Sequence, residues 1–418
     1  MKNKRIHKKT SKKRIPVFLS IIYFFIMIVS GCQNICEQRE VDISSEKTVC
    51  IVTGRPLGED SGEPYQFPSA GRTIDGDIYV TCSGIGHQDT TQGYERGGLC
   101  FVSEDQGETW NEIPITSLVK ADIRLPNGAY FQGAKPQNSY EADLSAFTPL
   151  YIEDGLSIYY ASDISEFKKT ITFQEYNPSS KTISEFESTI DWKYMPVVVN
   201  NEQVMPLNAI AYLSQFYQYE DTLYMVMYCK GFDNEGGGGD NQYNIYIFQS
   251  TDSARSWSYT GQLISADIPG IKDFIGWQEP FMLFDGQKFR ILLRTGSGTP
   301  MYMASTKDPS MWPKPVEFQD FGVRPQMCLL ENGILVASYG RPGIEVIASR
   351  DKSRAEWCDP YILDNRPKSA DDSWNYSCCY TSMVPISENE LLIFYCDFKY
   401  EVDGKEVKAV LCRKFRVK

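Results

Sequence analysis

The sequence predicts an all-β chain folded as a six-bladed β-propeller, and three observations carry the prediction. A turn pattern of Ser, Asp and Trp at fixed spacing recurs along the chain. Short alternating apolar runs rich in Tyr, Phe, Val and Ile dominate, with turn residues between them, and helical periodicity is scarce. Aromatic residues make up 13% of the chain, as packed sheets require. Self-similarity of this kind marks a repeat architecture, and closing a ring of blades removes free sheet edges.

The clearest copy of the turn is Ser103-Glu104-Asp105-Gln106-Gly107-Glu108-Thr109-Trp110. Ser and Asp side chains can bond the backbone amides that a tight turn leaves unpaired. Gly supplies the positive-φ position, and Trp folds back as an apolar plug. The pattern resembles the Asp-box, or BNR repeat, a turn between the outer strands of propeller blades. A second copy runs from Ser250 through Asp252 to Trp257. A third keeps Ser305, Asp308 and Trp312, and a looser fourth keeps Ser349, Asp351 and Trp357.

Residues 1–31 stand apart. They hold eight Lys or Arg and no acid, and include the apolar stretch Ile15 to Val29. Val29-Ser30-Gly31-Cys32 follows and resembles a bacterial lipoprotein signal with its lipobox. That resemblance implies lipid on Cys32, export, and a membrane tether over residues 32–47. The chain would then be lipid-anchored to the bacterial cell envelope. The propeller is expected over residues 48–418.

The whole chain carries a net charge of −12, and losing a basic leader makes the remainder more acidic. Such a body argues against nucleic acid as partner, and an anionic substrate would need a local cluster of cations. The chain is expected to be a monomer. Of 12 cysteines, Cys32 takes the lipid, which leaves an odd number and excludes a complete internal disulfide framework. Most of the others sit singly in strand patterns as small apolar residues. Cys378-Cys379 is an adjacent pair without metal spacing. His87 is the sole histidine beyond the leader, so neither a metal nor another cofactor is called for.

Recurring pieces set the blade limits. The first blade spans 66–113 and the second 124–186, without an Asp-box. The third spans 208–264, with an insertion at Gly236 to Gly239. The fourth spans 277–318, the fifth 324–363 and the sixth 376–417. The run Thr48 to Thr53 would pair with the sixth blade and close the ring.

With this layout and the repeated turns in view, the chain resembles the sialidase (neuraminidase) superfamily over nearly all of its length after the leader. The resemblance implies an exo-acting glycoside hydrolase with a Tyr nucleophile, a Glu beside it, an Asp acid/base and three Arg forks on a sugar carboxylate. Glu279-Pro280 leading to Leu292-Leu293-Arg294 matches the fourth blade, giving Glu279 and Arg294. Gly340-Arg341-Pro342 matches the fifth, giving Arg341, with Arg324 before Pro325 a further candidate. Cys379-Tyr380-Thr381-Ser382 matches the sixth, making Tyr380 the nucleophile candidate and Tyr376 its rival. Asp89 is the candidate acid/base, and His87 a candidate substrate contact. Asp60, Asp75 and Glu95 are alternatives to Asp89.

The first blade departs from the family. It reads Tyr65-Gln66-Phe67-Pro68, which puts Gln66 where the family has its first Arg, with Arg72 as a substitute. Loss of one fork removes a charge-assisted contact of roughly 1.5–3 kcal/mol. The resemblance implies removal of a terminal, acidic sugar from a glycan, and the lost fork leaves open a neutral or differently placed acidic sugar. Two other readings stay open: a non-catalytic glycan-binding propeller, and a propeller hydrolase or lyase for another sugar.

Overall fold

The computed structural model describes residues 41–417 except 57–65, 84–97, 136–138, 150, 154–155, 161–166, 194, 201, 206–211, 231–241 and 264–275. Cys32, Asp60, His87, Asp89, Glu95 and the Gly236 to Gly239 insertion lie outside the described residues. Within them the chain is all-β, with only two short 3-10 turns beside its strands.

Six sheets are formed. Four of them are four-stranded. One comprises the strands Gln66–Arg72, Ile78–Ser83, Leu99–Ser103 and Asn111–Ile113, the limits expected for the first blade. A second runs from Gln278–Phe284 to Val316–Gln319, and a third from Val323–Leu329 to Tyr361–Asp364. Each is an antiparallel meander in sequence order. The last holds Thr381–Pro385, Glu390–Val402 and Lys405–Val417, with the early strand Val41–Pro56 added outside. That strand pairs with the chain's end, Thr48 against Arg413 and Thr53 against Ala409, as the closing-strand expectation requires.

The expected second and third blades differ. Tyr212–Tyr219, Thr222–Lys230, Tyr243–Ser250 and Ser256–Leu263 form the expected third meander. However, Thr182–Asp191 runs parallel along its outer strand, Thr189 against Ser256, to make one seven-stranded sheet. Thr170–Asn177 and Tyr130–Ala134 follow it into that sheet, whereas Tyr140–Glu141, Tyr151–Glu153 and Leu156–Tyr160 join 196–204 in a separate five-stranded sheet. Side chains explain the capture. Arg255 bonds Glu175 at 2.7 Å and lies 3.6 Å over the Phe186 ring. Phe173 meets Phe131, Phe216 and Trp257 in one buried cluster. Alternation along a strand states which face is buried, but not which neighbour buries it.

The recurring turns lie between third and fourth strands. Asp105 Oδ1 accepts the backbone amides of Glu108 at 3.0 Å and Thr109 at 2.8 Å, and Ser103 Oγ accepts that of Gly107 at 2.7 Å. The same bonds recur at the second copy, where Asp252 accepts Arg255 and Ser256, each at 3.0 Å. The later tryptophan Trp312 donates to the Pro309 carbonyl at 2.9 Å, as Trp110 does to Gly107 at 3.2 Å.

First strands of successive sheets pack side by side, in the order 212–219, 278–284, 323–329, 381–385 and 66–72. Three of them open on the same kink. Phe67, Glu279 and Arg324 have φ of 55°, 44° and 44°, and each precedes a proline. The ladder skips at each, between Gln66 and Ser69, Gln278 and Phe281, and Val323 and Gln326. Cys379, with φ 62°, repeats the kink just before Tyr380. Such φ values are costly for non-glycine residues, on the order of 1 kcal/mol each, and persist where surrounding bonds fix them.

The hairpin after Glu279 turns at Asp285, which is fully buried and ion-paired with Arg290 at 3% exposure. Burial alone would raise the Asp285 carboxyl. The Arg290 bond, the amides of Lys288 and Gln287, and the Arg290 charge hold it below its usual value. Asp285 thereby locks the register that sets Gln278 opposite Arg294. Asp285→Ala should cost about 3–5 kcal/mol by leaving Arg290 buried and unpaired, measured by denaturant unfolding. A depressed folded pKa contributes stability that is present above the unfolded value of 3.8. In the parent chain that contribution should vanish as pH falls through the folded value, and in Asp285→Asn it should be absent throughout.

Candidate active site

The shared kinks gather a polar cluster at the starts of the first strands. Glu279 is 6% exposed and accepts on both carboxylate oxygens. Its Oε1 takes Arg294 Nη1 at 2.7 Å and the Tyr380 hydroxyl in a short hydrogen bond. Its Oε2 takes the backbone amide of Arg324 at 2.8 Å. Tyr380 and Glu279 are 101 residues apart in sequence, so this contact is a product of the fold.

The electrostatics follow from burial and compensation. Burial pushes the Glu279 carboxyl up, but the Arg294 and Arg324 charges and the bonds from Tyr380 and Arg294 bring it below its ordinary value of 4.5. The carboxyl is therefore ionised. The Tyr380 phenol moves the other way, well above 10, first through burial and then through the Glu279 charge, against a downward pull from Arg294 and Arg324. The resting pair is a protonated phenol on a carboxylate. A hydroxyl held this way can lose its proton only to Glu279, and only as its oxygen forms a new bond.

Arginines ring this pair. Arg294 ends the strand Phe289–Arg294 and is pinned by Glu279, by the Gly296 carbonyl at 3.0 Å and by Ser297 Oγ at 3.1 Å. Arg341 shares the same Ser297 hydroxyl at 3.1 Å, bonds the Cys378 carbonyl at 3.2 Å and lies 4.3 Å over the Trp374 ring. Only 4% of Arg341 is exposed, and its Nε has no partner among the described residues. Arg324 is different. It is half-buried, 6.0 Å over the Tyr380 ring, and its guanidinium makes no hydrogen bond or ion pair among the described residues. Phe67 meets Tyr380 edge-on at 4.9 Å, which brings the Gln66-Phe67-Pro68 kink to the same cluster. Gln66 is 5% exposed, and its Oε1 lacks a partner among the described residues. On the other side, burial and then the Glu279 charge raise the Tyr228 phenol. Tyr228 stacks on Tyr212, which is 47% exposed.

The sequence candidates thus divide. Glu279, Tyr380, Arg294, Arg341 and Gln66 come together. Tyr376, the rival nucleophile, lies under Arg366 at 5.4 Å instead. Arg72 is a correction. It stands at the far end of the strand that Gln66 begins, and six residues of strand span about 20 Å. Its guanidinium bonds the Gly76 and Pro385 carbonyls at 2.8 and 2.7 Å, so it ties two hairpins and does not replace the missing fork. Asp75, an alternative acid/base, sits exposed in that same distant hairpin.

Ser297 and Trp374 were not foreseen, because loop residues outside strand patterns carry no periodic signal. Arg324 had a signal: Arg324-Pro325 repeats Glu279-Pro280 and Phe67-Pro68, at the same kink of each sheet.

No protein-family model and no curated protein sequence matches the chain. Among solved structures it is similar to a protein of unknown function from Dyadobacter fermentans DSM 18053. That match has a TM-score of 0.56 at 13% identity, over 90% of this chain and 99% of that one. The two share a fold. Fainter similarities extend to a mutant of the NanB sialidase of Streptococcus pneumoniae, TM-score 0.47 at 13% identity over 90% and 72% of the two chains. A mutant of the α-L-arabinofuranosidase arb93a of Fusarium graminearum gives 0.47 at 14% identity over 87% and 97%.

The placement of Arg72 has a direct check. Arg72→Ala should leave ligand binding at the Glu279–Tyr380 cluster within about twofold of the parent, as surface substitutions away from a site do. Arg324→Ala should weaken binding of a small carboxylate there about tenfold or more, the loss of one charge-assisted contact. Isothermal titration with a small carboxylic acid measures both.

Proposed function

We propose that the chain is a retaining exo-glycosidase of sialidase-like type on a six-bladed propeller, removing terminal acidic sugars from glycans. The supporting observation is the Tyr380 hydroxyl seated on the ionised Glu279 carboxylate, with Arg294 and Arg324 against the pair. A charged nucleophile would be repelled by a sugar whose anomeric centre bears a carboxylate. A neutral phenol avoids that repulsion, and Glu279 accepts its proton as attack proceeds.

In this mechanism Tyr380 Oη bonds to the anomeric carbon as the bond to the leaving oxygen breaks. The phenol proton passes to Glu279. Asp89 gives a proton to the departing oxygen, then takes one from the water that releases the sugar from Tyr380. Glu279 returns its proton to the phenol. Arg324 is the cation left open to the sugar's acid group, and Arg294 and Arg341 supply charge from behind. Cys32 carries the lipid that holds the enzyme on the cell envelope, and His87, two residues before Asp89 in sequence, contacts substrate. Gln66 favours a second reading, in which the sugar presents a hydroxyl at that position and the amide accepts it.

A panel of fluorogenic terminal glycosides tests the proposal. Sialosides or other acidic glycosides should turn over, whereas binding without turnover of any glycoside would sink the enzyme reading. Tyr380→Phe and Glu279→Gln should each lower kcat by at least about a hundredfold, with smaller effects on ligand affinity. Glu279 must be ionised to accept the proton, and its folded pKa is lowered. The acidic limb of kcat/KM should therefore lie below pH 4.5, with loss of rate as pH falls through it.

A further inference from the structure

Behind Tyr380 lies a second constellation that the glycosidase chemistry does not use. Cys378 and Cys396 are both fully buried, and their sulfurs are 2.8 Å apart. Cys396 belongs to the strand Glu390–Val402, one residue past Tyr395, which pairs with Thr381. Cys378 precedes the Cys379 kink. Each thiol is a free cysteine in the structure, and they are packed with Phe398, Phe67, Trp374 and Tyr380. Ser377 Oγ lies 3.6 Å from the Cys396 sulfur and accepts the Cys379 amide at 3.0 Å, which fixes the approach of the segment.

We infer that Cys378 and Cys396 are a disulfide-forming pair that tethers the Tyr380 segment to the neighbouring strand under oxidising conditions. The sulfurs need move less than about 1 Å to reach bonding distance near 2.05 Å. The adjacent Cys379 is the competing partner, but its sulfur lies against the Ser377 carbonyl at 3.6 Å. Formation of the bond converts two thiols into one disulfide, releasing two protons and two electrons. Glutathione disulfide accepts them and becomes two glutathione thiols. The bond would close a short loop, 18 residues from Cys378 to Cys396, and so restrict the unfolded chain. It would also hold the Cys378 carbonyl that receives Arg341.

The test uses the full chain, prepared fully reduced and incubated with glutathione disulfide just below its melting temperature. Remaining thiols are alkylated, and the protein is digested without reduction for tandem mass spectrometry. Cys378 joined to Cys396 is the expected product, with a melting temperature several degrees above that of the reduced chain. Recovery of both as free or glutathione-capped thiols, or of Cys378 joined to Cys379 or elsewhere, overturns the inference. Cys396→Val and Cys378→Ala should each abolish the redox-dependent shift in melting temperature. If those variants fail to fold, the peptide map of the parent chain decides alone.

Discussion

A carboxylate taken out of water has to be compensated where it sits, and Glu279 is such a carboxylate. Stranding one buried charge costs about 3–5 kcal/mol, a large share of the roughly 5–15 kcal/mol by which domains stay folded. Its compensation comes from three separate sheets. Arg294 lies on the strand paired with its own, the Arg324 amide opens the next sheet, and the Tyr380 hydroxyl comes from the one after. The cluster is thus a joint between sheets as well as a chemical device. Arg341 and Ser297 extend it, because one hydroxyl serves two guanidinium groups.

Backbone conformation makes this joint possible. At Glu279 and Arg324 the chain adopts positive φ, and the ladder skips residues there. An unkinked strand would offer its amide to its neighbour in the ladder. The kink at Arg324 turns that amide to Glu279 Oε2 instead. Backbone strain is tolerated where several bonds fix the same residue. The outer turns work the other way. Ser103 and Asp105 relieve unpaired amides locally and reach no other sheet, so they repeat easily and tolerate drift.

That contrast explains what was legible in the sequence. The turns are local and side-chain encoded, so four sheets were readable to within a few residues from their spacing. Glu279 and Arg294 were readable together because one hairpin sets both, and Tyr380 because a short strand follows it. The 124–204 region was not, since the parallel pairing of Thr189 with Ser256 rests on contacts between side chains distant in sequence, such as Arg255 with Glu175. Arg72 misled for a geometric reason. Counting residues ignores that six steps span about 20 Å, the full length of the strand Gln66–Arg72. Arg324, whose kink before Pro325 repeats that of Glu279 before Pro280, lies over the Tyr380 ring instead.

The pairing of Val41–Pro56 with Lys405–Val417 bears on how the protein is made. This sheet cannot be completed until the thirteen residues Lys405–Val417 have been made. Until then the strand Val41–Pro56 lacks the strand it pairs with. Contacts so distant in sequence form slowly, because the loop between them must close first. The strand Lys405–Val417 therefore acts as the latch of this sheet. Loss of that strand would be felt at Val41–Pro56, more than 350 residues away in sequence.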